Sequence, residues 1–177
     1  MSKAASSSRN HMAPAVEKAL NEQIQAEFES AYLYLQMSAQ FESMNLKGFA
    51  HWLRLQWEEE TMHAMKFFDF VLQRNGNITL DAIGKPKSKF KTPGEAFEQV
   101  LEHERYITGR INSLYDVARE HKDYPLEMLL HWFINEQVEE EDNARSIIDT
   151  LTLIGNDGAN LYLLDREMGA RPADQAV

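Results

Sequence analysis

The chain contains no cysteine. Disulfides, iron–sulfur clusters and cysteine-type zinc sites are therefore excluded, and any metal must sit on carboxylates, imidazoles or carbonyls. Glycine and proline are scarce, eight and five in 177 residues, and most fall at a few places. The long stretches between them favour helix over the closely spaced turns of an all-β domain. No apolar run approaches the ~20 residues needed to span a bilayer, so no membrane partner is expected. Basic residues are in deficit: 18 Lys and Arg against 28 Asp and Glu leave a formal net charge of −10. That balance argues against nucleic acid as a partner, because phosphates are repelled overall. The remainder, 44% hydrophobic and 26% charged, is the composition of an ordinary globular protein, and one domain is the default reading.

The opening MSKAASSSRNHM is polar and Ser-rich, without the apolar stretch of a signal peptide. Residues 1–12 read as a disordered tail or tag, 13–170 as the folded domain and 171–177 as a frayed tail. A cytoplasmic location is the expectation from the missing signal peptide.

Four long helical segments and a short fifth can be drawn. The first runs from about Pro14 to Glu42, with Leu20, Ile24, Phe28, Ala31, Leu35 and Phe41 at the spacing of a one-sided helix. The second runs from about Asn45 to Arg74 and stops at Asn75-Gly76, a left-handed cap signal. The third starts at Thr92-Pro93-Gly94-Glu95, which offers a Thr N-cap, Pro at the first helical position and the Glu of a capping box. It continues to about His121. Asp123-Tyr124-Pro125 opens the fourth, which ends near Gly155, and Gly158 to Met168 forms the short fifth.

Loop lengths constrain the topology. Helices one and two, and three and four, are joined by a few residues, so each pair forms an antiparallel hairpin. The connector over residues 76–92 shows no helical periodicity. At ~3.3 Å per residue its ~17 residues reach ~56 Å, beyond the ~42 Å length of a 28-residue helix. The expected fold is an all-α, antiparallel four-helix bundle with one long crossover.

The chemistry rests on one Glu-x-x-His, Glu60-Thr61-Met62-His63, whose carboxylate and imidazole share a helix face. Alone this is a weak signal. In a hairpin, however, residues equidistant from the turn lie at one height. The midpoint of Glu27 and Glu60 falls in the turn at Glu42-Ser43-Met44-Asn45, so the two face each other. Glu27 also sits on the apolar stripe, where an acid is costly unless paired. The second hairpin repeats this: Glu104 and Gln137 are likewise 33 residues apart. One shift of 77 carries Glu27 to Glu104, Glu59 to Glu136, Glu60 to Gln137 and His63 to Glu140. Packed about a pseudo-two-fold axis, the hairpins bring Glu27, Glu60, His63, Glu104, Gln137 and Glu140 into one internal cluster. Glu58, Glu139, Glu141 and Asp142 fit a solvated face instead. Four buried carboxylates repel one another strongly, and two divalent cations remove that conflict. Oxygen ligands with one imidazole suit iron or manganese, with zinc as competitor.

At these residues the sequence resembles the ferritin family. The segments Asn21-Glu22-Gln23 through Tyr34, Trp57 through His63, His103-Glu104, and Asn135-Glu136-Gln137-Val138-Glu139-Glu140 are similar to its four ligand-bearing motifs, over roughly residues 15–168. The resemblance implies a prokaryotic-type, non-haem ferritin subunit that stores iron and oxidises Fe(II) with O2 or peroxide. It implies two iron sites: Glu27, Glu60 and His63 at the first, Glu60 bridging to a second held by Glu104, with Gln137 and Glu140 beside it. Tyr34 matches a tyrosine that hydrogen-bonds near the centre, and its reading as an electron donor stands beside that of a buried Tyr bonded to a core carboxylate. A third iron site in prokaryotic ferritins maps to Glu59, Glu136 and Glu139, with Glu140 shared; an exposed acidic face is the competing reading. Haem is not expected, because Thr61 and Glu140 stand where bacterioferritins carry Met and His, and Met62 and Met65 read as core packing. The resemblance further implies a homo-oligomeric cage of twenty-four subunits with the fifth helix around four-fold axes. Glu127 and His131 are placed as a pore-lining pair or an ordinary surface pair. Two other readings remain: a di-iron or di-manganese oxidase with an open substrate cavity, and a non-catalytic helical scaffold.

Overall fold

A computed structural model describes residues 12–172, in five helices: α1 (Pro14–Ser43), α2 (Lys47–Gln73), α3 (Pro93–Glu120), α4 (Tyr124–Ile154) and α5 (Gly158–Met168). No strand occurs among the described residues, and no helix is long and apolar enough to cross a membrane. The antiparallel bundle with its single long crossover is as the spacing predicts. Most of the sequence lying in the two proposed tails, residues 1–11 and 173–177, falls outside the described residues.

Both hairpins turn on a left-handed residue, Asn45 (φ 59°) and Lys122 (φ 52°). In each, the following N–H closes on the carbonyl five residues back: Leu46 on Phe41 at 3.1 Å, Asp123 on Ala118 at 2.8 Å. These bonds satisfy carbonyls that a helix end leaves orphaned. The end of α2 uses the same device, with Asn75 at φ 57° and Gly76 N–H on Val71 O at 2.9 Å. Gly76 is needed for a different reason: a Cβ there would lie 2.8 Å from Val71 Cγ1.

Helix starts follow their caps. Thr92 Oγ1 accepts from Glu95 N at 3.2 Å. The Glu95 carboxylate accepts from Lys91 N at 2.7 Å, one residue before the partner a capping box predicts. Asp123 Oδ1 accepts from Leu126 N at 3.2 Å and from Arg74 Nη1 at 2.6 Å, which ties the end of α2 to the start of α4. Helix α2 has no cap from its own flank. Asp165 of α5 supplies it, accepting from Gly48 N at 2.8 Å and Phe49 N at 3.1 Å. The approach is so close that a Cβ on Gly48 would lie 1.5 Å from Asp165 O.

The crossover runs along α1 from end to end. Asn21 bonds Asn77 O (2.9 Å) and Thr79 N (2.7 Å), Gln25 donates to Ala82 O (3.2 Å), and Gln40 to Phe90 O (2.7 Å). Phe90 then packs on Phe41 with ring centroids 4.8 Å apart. Side-chain amides of α1 thus satisfy a segment that has no helix of its own.

The bundle interior is two apolar cores rather than one. One gathers Phe41, Phe49, Leu53, Phe97 and Val100; the other gathers Leu20, Ile24, Phe67, Leu114 and Phe133. On α1 the stripe between them is polar: Gln23, Glu27, Ser30 and Tyr34 are buried, while Phe28 and Leu35 are only half-buried. Three expectations are corrected. Met12, assigned to the tail by composition, is buried in the second core. Arg171, assigned to the C-terminal tail, is held by side-chain bonds to α2. Met65, read as core packing, is exposed on the subunit surface, because it follows the inward-facing His63 by two residues, too few to return to the same face.

Candidate metal centre

The polar layer between the two cores holds Glu27 from α1, Glu60 and His63 from α2, Glu104 from α3, and Gln137 and Glu140 from α4. All six are at most 5% exposed. Ligand atoms of Glu27, Glu60 and His63 lie within 4.8 Å of one another. His63 Nδ1 is 3.8 Å from Glu60 Oε2. Across the second hairpin, Gln137 Nε2 donates to Glu104 Oε2 at 3.1 Å and to Glu104 O at 3.2 Å. The 33-residue spacing thus places each pair at one height, as antiparallel hairpins require.

Apolar packing above and below strips water from these carboxylates, which penalises their charged forms. Burial raises Glu27 from 4.5 to about 7, against the opposing pull of the hydrogen bonds from Gln23 and the neighbouring Glu60. Glu60 is held well above the ordinary carboxylate range by burial and then by Glu104, Glu27 and Glu140. It is the carboxylate on which the other three converge. Glu140 is likewise held well above that range by burial, then by Glu104 and Glu59. Glu104 is raised by burial and partly relieved by donors on Tyr34 and Gln137. Tyr34 Oη donates to Glu104 Oε1, and its own ionisation is suppressed by burial and Glu104. Burial, with Lys66 nearby, lowers His63 to about 4, so the imidazole is neutral at pH 7. A neutral imidazole is the form a metal requires.

Glu27 Oε2 and Glu60 Oε2 are buried without a hydrogen-bond partner. Such atoms are destabilising unless something completes them. A divalent cation between Glu27, Glu60 and His63 would satisfy both and offset the mutual repulsion. Two carboxylates with one imidazole fit iron or manganese.

The other anticipated positions behave differently. Glu59 is buried but its Oε1 accepts from Arg171 Nη2 at 2.6 Å. Glu136 is half-buried and Glu139 exposed. Among the described residues these three do not come together as a metal-holding group. The reason is angular: Glu139 lies two residues past Gln137, about 200° around α4 from the interior face. Glu127 is half-buried and His131 exposed, with His131 Nε2 3.3 Å from Tyr115 Oη, on the outer surface at the start of α4.

Sequence reasoning gave no role to several residues that hold the ligands or their neighbours. Gln23 donates to Glu27 Oε1 at 2.8 Å, and Arg110 Nε fixes its amide by donating to Gln23 Oε1 at 3.2 Å. Gln56 donates to Glu140 Oε2 at 2.9 Å. Gln23 precedes Glu27 by four residues on the same helix, a signal readable from spacing, whereas Gln56 reaches Glu140 across to α4, which spacing does not show. Arg171 carries none, since it lies beyond the last helix. Ser30 Oγ and His103 Nε2, 2.7 Å apart, buttress the same layer beside Tyr34.

Comparison with known proteins places the chain in a family. The ferritin-like domain family matches residues 17–154. The chain is 39% identical over 156 residues to a bacterial non-haem ferritin of Bacteroides fragilis, covering 88% of this chain and 97% of the relative. It is 40% identical over 153 residues to one from Staphylococcus epidermidis, covering 86% and 92%. Among solved structures, an open-pore ferritin from the hyperthermophilic archaeon Archaeoglobus fulgidus superposes with a TM-score of 0.89 at 47% identity, covering 91% and 98%.

Proposed function

This chain belongs to the ferritin family, and from that premise we propose that it stores iron and oxidises Fe(II) at the centre between its two cores. Fe(II) is the substrate. Two ions give up one electron each to O2, which leaves with two protons as hydrogen peroxide, or to peroxide, which leaves as water. The Fe(III) passes to a mineral of hydrous ferric oxide inside a cage of twenty-four subunits.

The observation that carries the reading is the pair of partnerless buried oxygens on Glu27 and Glu60, set within reach of a neutral His63. Glu27, Glu60 and His63 hold one ion. Glu60, the carboxylate on which Glu104, Glu27 and Glu140 converge, bridges to a second ion held by Glu104, with Gln137 and Glu140 beside it. Tyr34 holds Glu104 Oε1 and so aims its second oxygen. The chain contributes ion spacing, charge compensation and exclusion of water, while the redox change belongs to the iron.

Fe(II) added aerobically to the metal-free protein, followed by absorbance and by sedimentation, tests this. Rapid oxidation with iron retained in a very large particle is expected. Oxidation without retention would favour a soluble oxidase, and neither outcome would leave a scaffold. Glu60→Ala is expected to abolish rapid oxidation while sparing assembly. An unchanged initial rate in an assembled variant removes the bridging role.

A further inference from the structure

Beyond α5 the chain folds back onto α2 and presents one cation to the edge of the metal centre. Arg171 Nη1 donates to Gln56 Oε1 at 2.5 Å, and Nη2 donates to Glu59 Oε1 at 2.6 Å. The guanidinium carbon lies 5.1 Å from the Trp52 ring centroid, and His51 Nε2 lies 3.0 Å from Arg171 O. Gln56 is fully buried, so its amide is oriented by the partners it meets. With Oε1 taken by the guanidinium, Nε2 must face Glu140 Oε2, 2.9 Å away. A chain of donors therefore runs from the C-terminal segment to a carboxylate of the centre.

Two consequences follow. One oxygen of Glu140 is committed to the Gln56 amide. Glu59, 8% exposed and a source of repulsion on Glu140, has its charge matched by a guanidinium rather than by a metal ion. A guanidinium cannot lose its proton in a protein, so this charge is constant with pH.

We propose that Arg171 is a positioning residue for the metal centre, a tethered cation that orients Glu140 through Gln56 and closes the Glu59–Glu140 side to any further cation. The proposal rests on the di-metal reading of Glu27, Glu60, His63 and Glu104. With Arg171 seated, the site takes two ions. With the charge removed, Gln56 is free to turn, Glu140 Oε2 is released, and Glu59 and Glu140 face each other with no cation between them.

Calorimetric titration of the assembled, metal-free protein with Zn(II), which has no redox chemistry, reads this directly. The wild type is expected to bind two ions per subunit tightly. Arg171→Gln, which keeps a long polar side chain but no charge, is expected to bind a third with at least tenfold higher affinity than any third ion in the wild type. Arg171→Lys, which keeps the charge, is expected to stay at two. A wild type that already binds three tightly, or an Arg171→Gln variant that stays at two, overturns the proposal. A third ion in Arg171→Lys equal to that in Arg171→Gln also overturns it. Should the wild type bind no ion, the di-metal reading itself fails, and this proposal with it. Sedimentation of each variant as the same particle as the wild type excludes a general loss of structure as the source of the change.

Discussion

A metal ligand that destabilises the empty protein should be improvable by deleting its charge, and Glu27 gives the clearest case. In the metal-free state its carboxyl is raised from 4.5 to about 7, chiefly by burial. Because the folded value lies above the unfolded one, the native state binds the proton more tightly, and stability falls as pH rises between the two values. Integrated, the destabilisation is about 1 kcal/mol at pH 5 and on the order of 3 kcal/mol at pH 8. Glu27→Gln removes it. The Gln carbonyl can still accept from Gln23, which donates to Glu27 Oε1 at 2.8 Å, and the amide adds a donor to a layer in which Glu60 Oε2 is buried without a partner. Chelator-treated variant and wild type are compared by thermal unfolding at pH 5 and pH 8. At about 2–4 °C per kcal/mol for a chain of this size, Glu27→Gln should melt ~6–12 °C higher at pH 8 and only a few degrees higher at pH 5. It should also lose the first metal site, so added Zn(II) should raise the melting temperature of the wild type far more than that of the variant. A variant no more stable than the wild type at pH 8, or a gain that does not change with pH, would refute the account of a repelling, desolvated cluster.

Two further predictions concern the frame around the centre. Gly48→Ala places a Cβ 1.5 Å from Asp165 O, so α5 must retreat and give up its cap on α2. We expect hydrogen exchange at Phe49 and along α5 to accelerate while α3 and α4 are unaffected; unchanged exchange in α5 would show that the contact yields without displacement. Asp123→Ala removes both the α4 cap and the partner of Arg74. A cap is worth about 1 kcal/mol and a charged hydrogen bond about 1.5–3, so chemical denaturation should report a loss of ~2–4 kcal/mol, and a loss below 1 would mean that water replaces the aspartate.

The positions of the helices and the level of the candidate centre were legible in the sequence, because both depend on regularities of one and two chain segments. A 3.6-residue period marks an inward face, and equal distances from a tight turn mark equal heights. Those two rules suffice to bring Glu27 opposite Glu60 and Glu104 opposite Gln137. Glycine 76 and Thr92 marked helix boundaries through backbone preferences that are local by nature. The ferritin resemblance was legible because several such positions agree at once.

What tertiary structure alone decided are the contacts between segments that no period relates. Asp165 caps a helix more than a hundred residues earlier, Met12 fills the second core, and Arg171 returns to Gln56 and Glu59. Side-chain direction at the ends of the chain depends on where the last helix docks, and that is set by the shape of the packed bundle. The acidic residues show the same division. Spacing tells which ones share a face, but whether Glu59 meets a metal or a guanidinium depends on a segment folding in from outside the bundle. Burial, which raises the Glu27 carboxyl to about 7 and lowers His63 to about 4, exists only once two apolar cores have closed over the layer between them.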